Sequence, residues 1–421
     1  MAKFIIEGGN RLSGSIKISG AKNEALKILP ASILASTSST LKNIPKITDI
    51  DRMIDILKSI GAKISLDNGI AEIETSGINS YEPDQSLIKK LRGSIVIVGP
   101  LLAKFGRAVL SQPGGCLIGA RPIDEHLDVF RQMGVRVDQK GDTYYLKGRP
   151  KAANIILNKM SVTATENAMM AAVFSKGITK INVAAAEPEI ADLAKYLNKM
   201  GAKIKGAGTH EILIEGVNKL TGVEHEILPD RIEAGTYLMI AIATNSNTEI
   251  GPVVSDHLSL VLKKLITSGA NIKIIEKDGK EYIKTGSHGE LNAASIDTRT
   301  YPGFPTDLQS PYAALMTQAR GKSQIFETLF EGRFLYLDEL NMMGAKTEIL
   351  SPQVINIKGP TRLKASEIYS RDLRGGAALV IAGLIANGTT IINGLEFIDR
   401  GYEAMDGKLR AVGAKIERAE N

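Results

Sequence analysis

The 421-residue sequence contains one cysteine, no tryptophan, five histidines and only 5% aromatic residues. One thiol cannot close an intrachain disulfide, so the framework of a small secreted scaffold is excluded. No apolar run approaches the roughly 18 residues of a spanning helix, and Met1 to Gly20 lack the 7–15-residue apolar core of about that length that marks a secretion signal. These absences predict a cytoplasmic protein without membrane insertion. With no His-Glu-x-x-His and no clustered Cys and His, no metal site is expected. Basic residues form no run of five and are not interleaved with aromatics, which speaks against a nucleic-acid surface. Phosphate-loop signatures are also missing: Gly206-Ala207-Gly208 lacks a third glycine, and Met316 stands where a P-loop ending in Gly321-Lys322-Ser323 needs glycine. The modest net charge of +6 remains compatible with a small anionic ligand.

What the sequence has is a repeat. Gly61-Ala62-Lys63-Ile64 recurs as Gly134-Val135-Arg136-Val137, Gly201-Ala202-Lys203-Ile204, Gly269-Ala270-Asn271-Ile272, Gly344-Ala345-Lys346-Thr347 and Gly413-Ala414-Lys415-Ile416. The glycines lie 73, 67, 68, 75 and 69 residues apart, which is one supersecondary unit used six times. An amphipathic helix precedes the glycine, as in Ile50, Met53, Ile54 and Leu57, so the glycine is expected to stop that helix in the left-handed conformation. Two strands follow as a hairpin, ending for instance at Ile212–Gly216 or Val354–Gly359.

A second helix then follows, apolar nearly all round and rich in small residues: Ala168–Phe174, Ala234–Ala243, Gly375–Ala386. Such a helix must be buried on every side, while strands such as Tyr282-Ile283-Lys284 keep one wet face. The predicted fold is therefore α/β (α+β): an inside-out α/β barrel of six β-α-β-α-β-β repeats, three per domain, with central helices and outer sheets. The sixth repeat lacks its last strand, and Phe4–Gly8 is expected to supply it by pairing with the C-terminal strand. One domain is expected over residues 21–228, carrying the Cys116 loop, and the other over 1–20 and 229–421. Two crossings of the chain suit hinge closure over a ligand held in the cleft.

Cys116 sits in Pro113-Gly114-Gly115-Cys116-Leu117-Ile118-Gly119-Ala120-Arg121-Pro122, a glycine-punctuated loop rather than an apolar element. A thiol near a cation can fall from its usual pKa of about 8.5 towards neutrality and exchange a proton there; composition alone leaves an inert loop thiol equally open. In register with this loop lie Glu187-Pro188-Glu189, Glu331-Gly332-Arg333 and Asp399-Arg400. The loops before the buried helices carry Lys22-Asn23, Arg92, Ser161 to Thr165, Asp230-Arg231, Asp307 and Asp372-Leu373-Arg374. For Asp230-Arg231 and Asp372–Arg374, helix capping and mutual ion pairing compete with ligand binding and are favoured. Lys22, Arg121 and Arg400 have too few carboxylates beside them in sequence, which favours an anionic ligand. Asp307, in Phe304-Pro305-Thr306-Asp307, is either a helix cap or a proton acceptor.

Together, the six units, Gly20-Ala21-Lys22-Asn23, Pro113–Asp124, Phe304–Asp307, Asp372-Leu373-Arg374 and Asp399-Arg400-Gly401-Tyr402-Glu403 resemble the UDP-N-acetylglucosamine enolpyruvyl transferases over essentially the whole chain. The resemblance implies transfer of enolpyruvate from phosphoenolpyruvate to the sugar 3-hydroxyl, with release of phosphate through a tetrahedral ketal. It implies no metal or organic cofactor. It further implies that Lys22, Asn23, Arg121 and Arg400 bind phosphoenolpyruvate, that Cys116 protonates its methylene carbon, and that Asp307 takes the hydroxyl proton. Arg92, Arg121, Pro122, Ile123, Asp124, Glu125, Lys159, Met160, Ser161, Val162, Asp307 and Leu329 would hold the UDP-sugar. The chain departs from the family pattern at Thr48, Val96 and Thr163. The sister transferase acting on shikimate 3-phosphate shares the architecture but lacks the cysteine loop, and a catalytically silent sugar-nucleotide binder is the remaining alternative.

Overall fold

Six helices end in the same way. Gly61, Gly134, Gly201, Gly269, Gly344 and Gly413 all have φ between 79° and 111°, the left-handed region that costs a side chain most. Each glycine N–H bonds the carbonyl three residues back, and the next N–H bonds the carbonyl five back: Gly61 to Lys58 and Ala62 to Leu57, through to Gly413 to Arg410 and Ala414 to Leu409. The residue accepting the longer bond is always large and apolar (Leu57, Phe130, Leu197, Leu265, Leu340 or Leu409), and all six are buried. That is the Schellman stop with its hydrophobic contact, and it turns the chain directly into a strand.

The computed structural model describes residues 2–114 and 122–420, in two compact units: residues 2–19 with 229–420, and residues 20–114 with 122–228. Cys116 and Arg121 thus lie outside the described residues. Within each unit the described strands form three separate sheets, and none closes into a barrel. The sheet of Ile296–Asp297, Gly321–Phe326, Val354–Gly359 and Lys346–Ser351 shows the plan. Its first two strands run parallel, so a helix must cross between them, and Gln309–Met316 does so. The last two form the antiparallel hairpin expected from the repeat, with the final strand inside.

The N-terminal strand Lys3–Glu7 pairs antiparallel with both Thr389–Asn393 and the C-terminal strand Lys415–Ala419, as the truncated sixth repeat predicts. Ser13–Lys17 pairs parallel with Asn247–Val253, and in the other unit Glu224–Glu226 pairs parallel with Ser39–Lys42. The sheet of Arg107–Ser111, Thr143–Lys147 and Arg136–Lys140 has three strands, and the carbonyl of Tyr81 reaches the Val109 N–H at its open edge.

Strands alternate as one-sided sheets must: in Glu211–Glu215, Ile212 and Ile214 are buried while Glu211, Leu213 and Glu215 face out. The crossover helices form the centre of each unit. Arg231–Ala243, Gln309–Met316 and Leu373–Ile385 pack on one another, and Val98–Phe105 packs on Val162–Ala172. Close packing is enforced at Gly99, where a Cβ would lie 2.5 Å from the Asn167 carbonyl oxygen. The segments expected to be apolar nearly all round are almost wholly buried, and the residues just before them add something the pattern did not show. Charge is buried towards the N-terminal ends of these helices: Glu166, Glu233 and Arg374 are all inside.

Candidate functional site

In the unit of residues 20–228, the helix Lys22–Ala31 begins at a backbone crowded into place. A Cβ on Gly20 would fall 1.7 Å from the Asn43 carbonyl oxygen, so only glycine fits there. Ala21 gives the helix no side-chain cap, and its N–H bonds the Leu228 carbonyl. Lys22 and Asn23 therefore occupy a first turn whose amides point out of the helix end, where an anion is favoured. Lys22 is not short of carboxylates, as its sequence neighbours suggest. Its Nζ lies 2.7 Å from Asp49 Oδ2, supplied by the first turn of Thr48–Ser59, and Arg52 approaches the other oxygen at 3.5 Å. No local signal links residues 22 and 49; only the fold does.

A second cluster in the same unit gathers most of the predicted nucleotide-binding residues. Arg92 Nη1 donates to the Pro113 carbonyl at 3.3 Å and Nη2 to that of Pro122 at 3.4 Å, so one guanidinium spans both described ends of the cysteine loop. Ile123 is buried, and Asp124 and Glu125 begin the helix Asp124–Gln132. Glu125 accepts from the Asn158 N–H at 2.6 Å, which draws that helix to the segment of Lys159, Met160, Ser161 and Val162. Ser161 caps Val162–Ala172 through the Ala164 N–H. His126, buried between Thr163 Oγ1 at 3.1 Å and Asn167 Nδ2 at 2.9 Å, has its pKa pushed down to about 3. Burial is the main cause and the charges of Arg92 and Lys159 add to it, which puts both cations near the same ring. A neutral imidazole beside two cations and a helix N-terminus is a setting for a polyanion such as a diphosphate.

In the unit of residues 229–420, Asp307 follows Pro305 and precedes Gln309–Met316. Arg333 donates to its Oδ1 at 2.6 Å and Arg374 to its Oδ2 at 3.1 Å. Both guanidinium groups are nearly buried, whereas the Asp307 side chain keeps 26% exposure, so two cations fix a carboxylate that remains partly accessible. Arg374 also lies over the Tyr402 ring, 5.3 Å from its centroid, and Arg333 over Phe330. Asp230 and Asp372 are helix caps, each accepting two N–H groups, as capping predicts. Arg374 pairs with Asp307 rather than with its neighbour Asp372, and Arg231 lies over the Tyr301 ring. Leu329 is 37% exposed on the loop whose N–H groups Glu327 accepts. Arg400 is half-buried between two short helices, and its neighbour Asp399 pairs with Arg418 at 2.7 Å instead.

Among the described residues one group could offer three ligands to a metal: Glu24, Asp192 and His225, all buried. His225 Nε2 lies 2.6 Å from Asp192 Oδ2, the separation of a shared proton. Two donors about 2.0–2.1 Å from a tetrahedral zinc stand well over 3 Å apart, so His225 and Asp192 form a hydrogen-bonded pair, with Glu24 3.8 Å from the imidazole completing the triad. Asp49, Arg333 and this triad were not marked as site residues by sequence. A lone glutamate or arginine in a loop carries no signal until its partner is known.

The chain matches the family described as EPSP synthase (3-phosphoshikimate 1-carboxyvinyltransferase) over residues 6–409. It is 47% identical to UDP-N-acetylglucosamine 1-carboxyvinyltransferase 2 of Carboxydothermus hydrogenoformans, with all of both chains covered. It is 48% identical to UDP-N-acetylglucosamine 1-carboxyvinyltransferase 1 of Caldanaerobacter subterraneus subsp. tengcongensis, with 99% of each covered. Its fold is similar to the crystal structure of the enolpyruvyl transferase NikO from Streptomyces tendae, with a TM-score of 0.89, 23% identity and 99% of each chain covered. It is also similar to EPSP synthase from Acinetobacter baumannii, with a TM-score of 0.77, 18% identity and all of both chains covered.

Proposed function

The chain belongs to the UDP-N-acetylglucosamine 1-carboxyvinyltransferase family, and on that premise we propose that it transfers enolpyruvate from phosphoenolpyruvate to the 3-hydroxyl of UDP-N-acetylglucosamine. The sugar oxygen bonds to C2 of phosphoenolpyruvate while C3 gains a proton, giving a tetrahedral phospho-ketal. Loss of a C3 proton and of phosphate then regenerates the vinyl group on the sugar. Asp307 accepts the hydroxyl proton, with its orientation set by Arg333 and Arg374. Cys116 delivers the proton to C3 and takes one back when the ketal collapses. In the phospholactoyl thioether implied by the family resemblance its sulfur occupies C2 in place of the sugar oxygen, and that C–S bond must break, returning the thiolate, before the sugar oxygen bonds there.

Lys22, Asn23, Arg121 and Arg400 hold the phosphate and carboxylate; a guanidinium matches either group through two parallel bonds. The cluster of Arg92, Pro122, Ile123, Asp124, Glu125, Lys159, Met160, Ser161 and Val162 takes the nucleotide, and Leu329 with Asp307 takes the sugar. Expulsion of water strengthens the cations' hold on the developing charge. This step opens peptidoglycan synthesis, and we assign it to the cytoplasm. Among the described residues no helix is long and apolar enough to cross a membrane.

The observation that carries this reading against the shikimate sister is identity: 47–48% over the full chain to relatives of the first name, against 18% to the EPSP synthase structure. Phosphate release measured with phosphoenolpyruvate and each acceptor tests it. Release with UDP-N-acetylglucosamine supports the reading, release only with shikimate 3-phosphate moves it to the sister, and release with neither leaves a silent binder.

A further inference from the structure

Glu24 is fully buried two residues beyond Lys22, and nothing in the transfer reaction uses it. As the third residue of an uncapped helix it could turn back to its own first turn in a capping box. It does not. Both of its oxygens lie 3.2 Å from the Leu228 nitrogen. The Leu228 carbonyl in turn accepts from Ala21 at 2.7 Å, so one residue is gripped through both its N–H and its C=O by the turn that carries Lys22 and Asn23.

Behind Glu24 stands the hydrogen-bonded pair of two further elements. His225, on the strand Glu224–Glu226, lies 3.8 Å from Glu24 Oε1 and 2.6 Å from Asp192 on the helix Pro188–Lys199. The groups facing this pocket are Lys199, with Nζ 3.4 Å from His225 Nδ1; Lys195, 3.4 Å from Asp192; and Tyr196, stacked edge-on against the His225 ring. Helix, strand and connecting segment thus meet at one carboxyl group.

We propose that Glu24 is a positioning residue: by accepting the Leu228 N–H while packed against the His225–Asp192 pair, it fixes the helix turn that presents Lys22 and Asn23 to phosphoenolpyruvate. The kinetic half of this inference rests on the proposed reaction; the anchoring half does not. Charge balance agrees with the geometry. Burial raises the Glu24 pKa to about 8. Burial, the largest single influence on each, would lower His225 and raise Asp192, but the hydrogen bonds and charges of their neighbours together outweigh it, so His225 is raised and Asp192 lowered. Near neutral pH Glu24 therefore keeps its proton, while the shifts at Asp192 and His225 favour the carboxylate and the imidazolium. Raising the pH ionises Glu24, placing a second negative charge beside Asp192 and close to the turn that must attract an anion.

The test compares Glu24→Ala and Glu24→Gln. In Glu24→Ala the Leu228 N–H has no acceptor; its amide is expected to exchange about tenfold faster, and the phosphoenolpyruvate KM to rise about tenfold with kcat changed less than about threefold. Glu24→Gln keeps an acceptor oxygen and cannot ionise. Its KM at pH of about 7 is expected within about twofold of the parent, without the parent's rise of about tenfold towards pH of about 9. Unchanged Leu228 protection and KM in Glu24→Ala, or an alkaline rise that survives in Glu24→Gln, overturns the proposal. If the parent turns over no substrate, amide exchange still decides the anchoring, and it is then the reaction assignment that has failed.

Discussion

The Lys22 ammonium lies 2.7 Å from the Asp49 carboxylate, with the two side chains 9% and 3% exposed. This pair fixes a cation at the end of an uncapped helix, where the proposed reaction places the phosphate of phosphoenolpyruvate. Breaking a buried pair from one side leaves the other charge uncompensated. Lys22→Ala is expected to cut kcat/KM for phosphoenolpyruvate by about 100-fold or more and to lower the unfolding temperature, because the buried Asp49 carboxylate loses its nearest cation. Steady-state kinetics and thermal unfolding of the same preparation check both.

Asp307 is held by Arg333 at 2.6 Å and Arg374 at 3.1 Å. Asp307→Ala removes a proton acceptor without touching the Lys22 turn. Turnover is expected to fall by about 10²- to 10⁴-fold while equilibrium binding of phosphoenolpyruvate stays within a few-fold. A loss confined to nucleotide affinity would reduce Asp307 to a binding group.

The chain has one thiol, so covalent inactivation can be assigned without mapping. Fosfomycin, the epoxide inactivator that the family resemblance implies, is expected to add once per chain and abolish phosphate release. Cys116→Ser is expected to take up none and to lose most of its turnover. Intact-mass spectrometry beside the activity assay reads both outcomes.

Glu166 carries a stability prediction with a definite sign. Burial pushes its pKa up to about 8, and the Lys27 ammonium at 3.5 Å offsets only part of that. The native state therefore holds a proton that the unfolded chain, near its ordinary 4.5, releases. The stability from this group is complete below about pH 4.5 and is lost as pH rises through about 8. Glu166→Gln should remove that dependence. Denaturant unfolding at pH of about 6 and about 9 is expected to show the parent losing up to a few kcal/mol relative to the variant.

Repetition made the fold legible. A glycine that stops a helix must have positive φ, and six such stops at near-equal spacing fix the unit, its hairpin and its truncated end at Lys415–Ala419. Candidate site residues stand out in the sequence where they are contiguous, as at Lys22-Asn23 or Lys159 to Val162, and these segments start helices in the fold. Pairings between residues far apart in sequence, such as Asp49 with Lys22 or Arg333 with Asp307, were not legible there. The buried charges Glu24, Glu166 and Glu233 were hidden for another reason. An apolar helix pattern tolerates one polar residue per turn at its end, and only packing shows whether that residue faces water.

The most direct test of enolpyruvyl transfer is the identity of the product. Mass spectrometry after incubation with phosphoenolpyruvate, UDP-N-acetylglucosamine and shikimate 3-phosphate together should show the carboxyvinyl group on the sugar nucleotide, with one phosphate released per product and shikimate 3-phosphate unchanged. A carboxyvinyl group on shikimate 3-phosphate, or an unmodified sugar nucleotide with no phosphate released, would contradict the assignment.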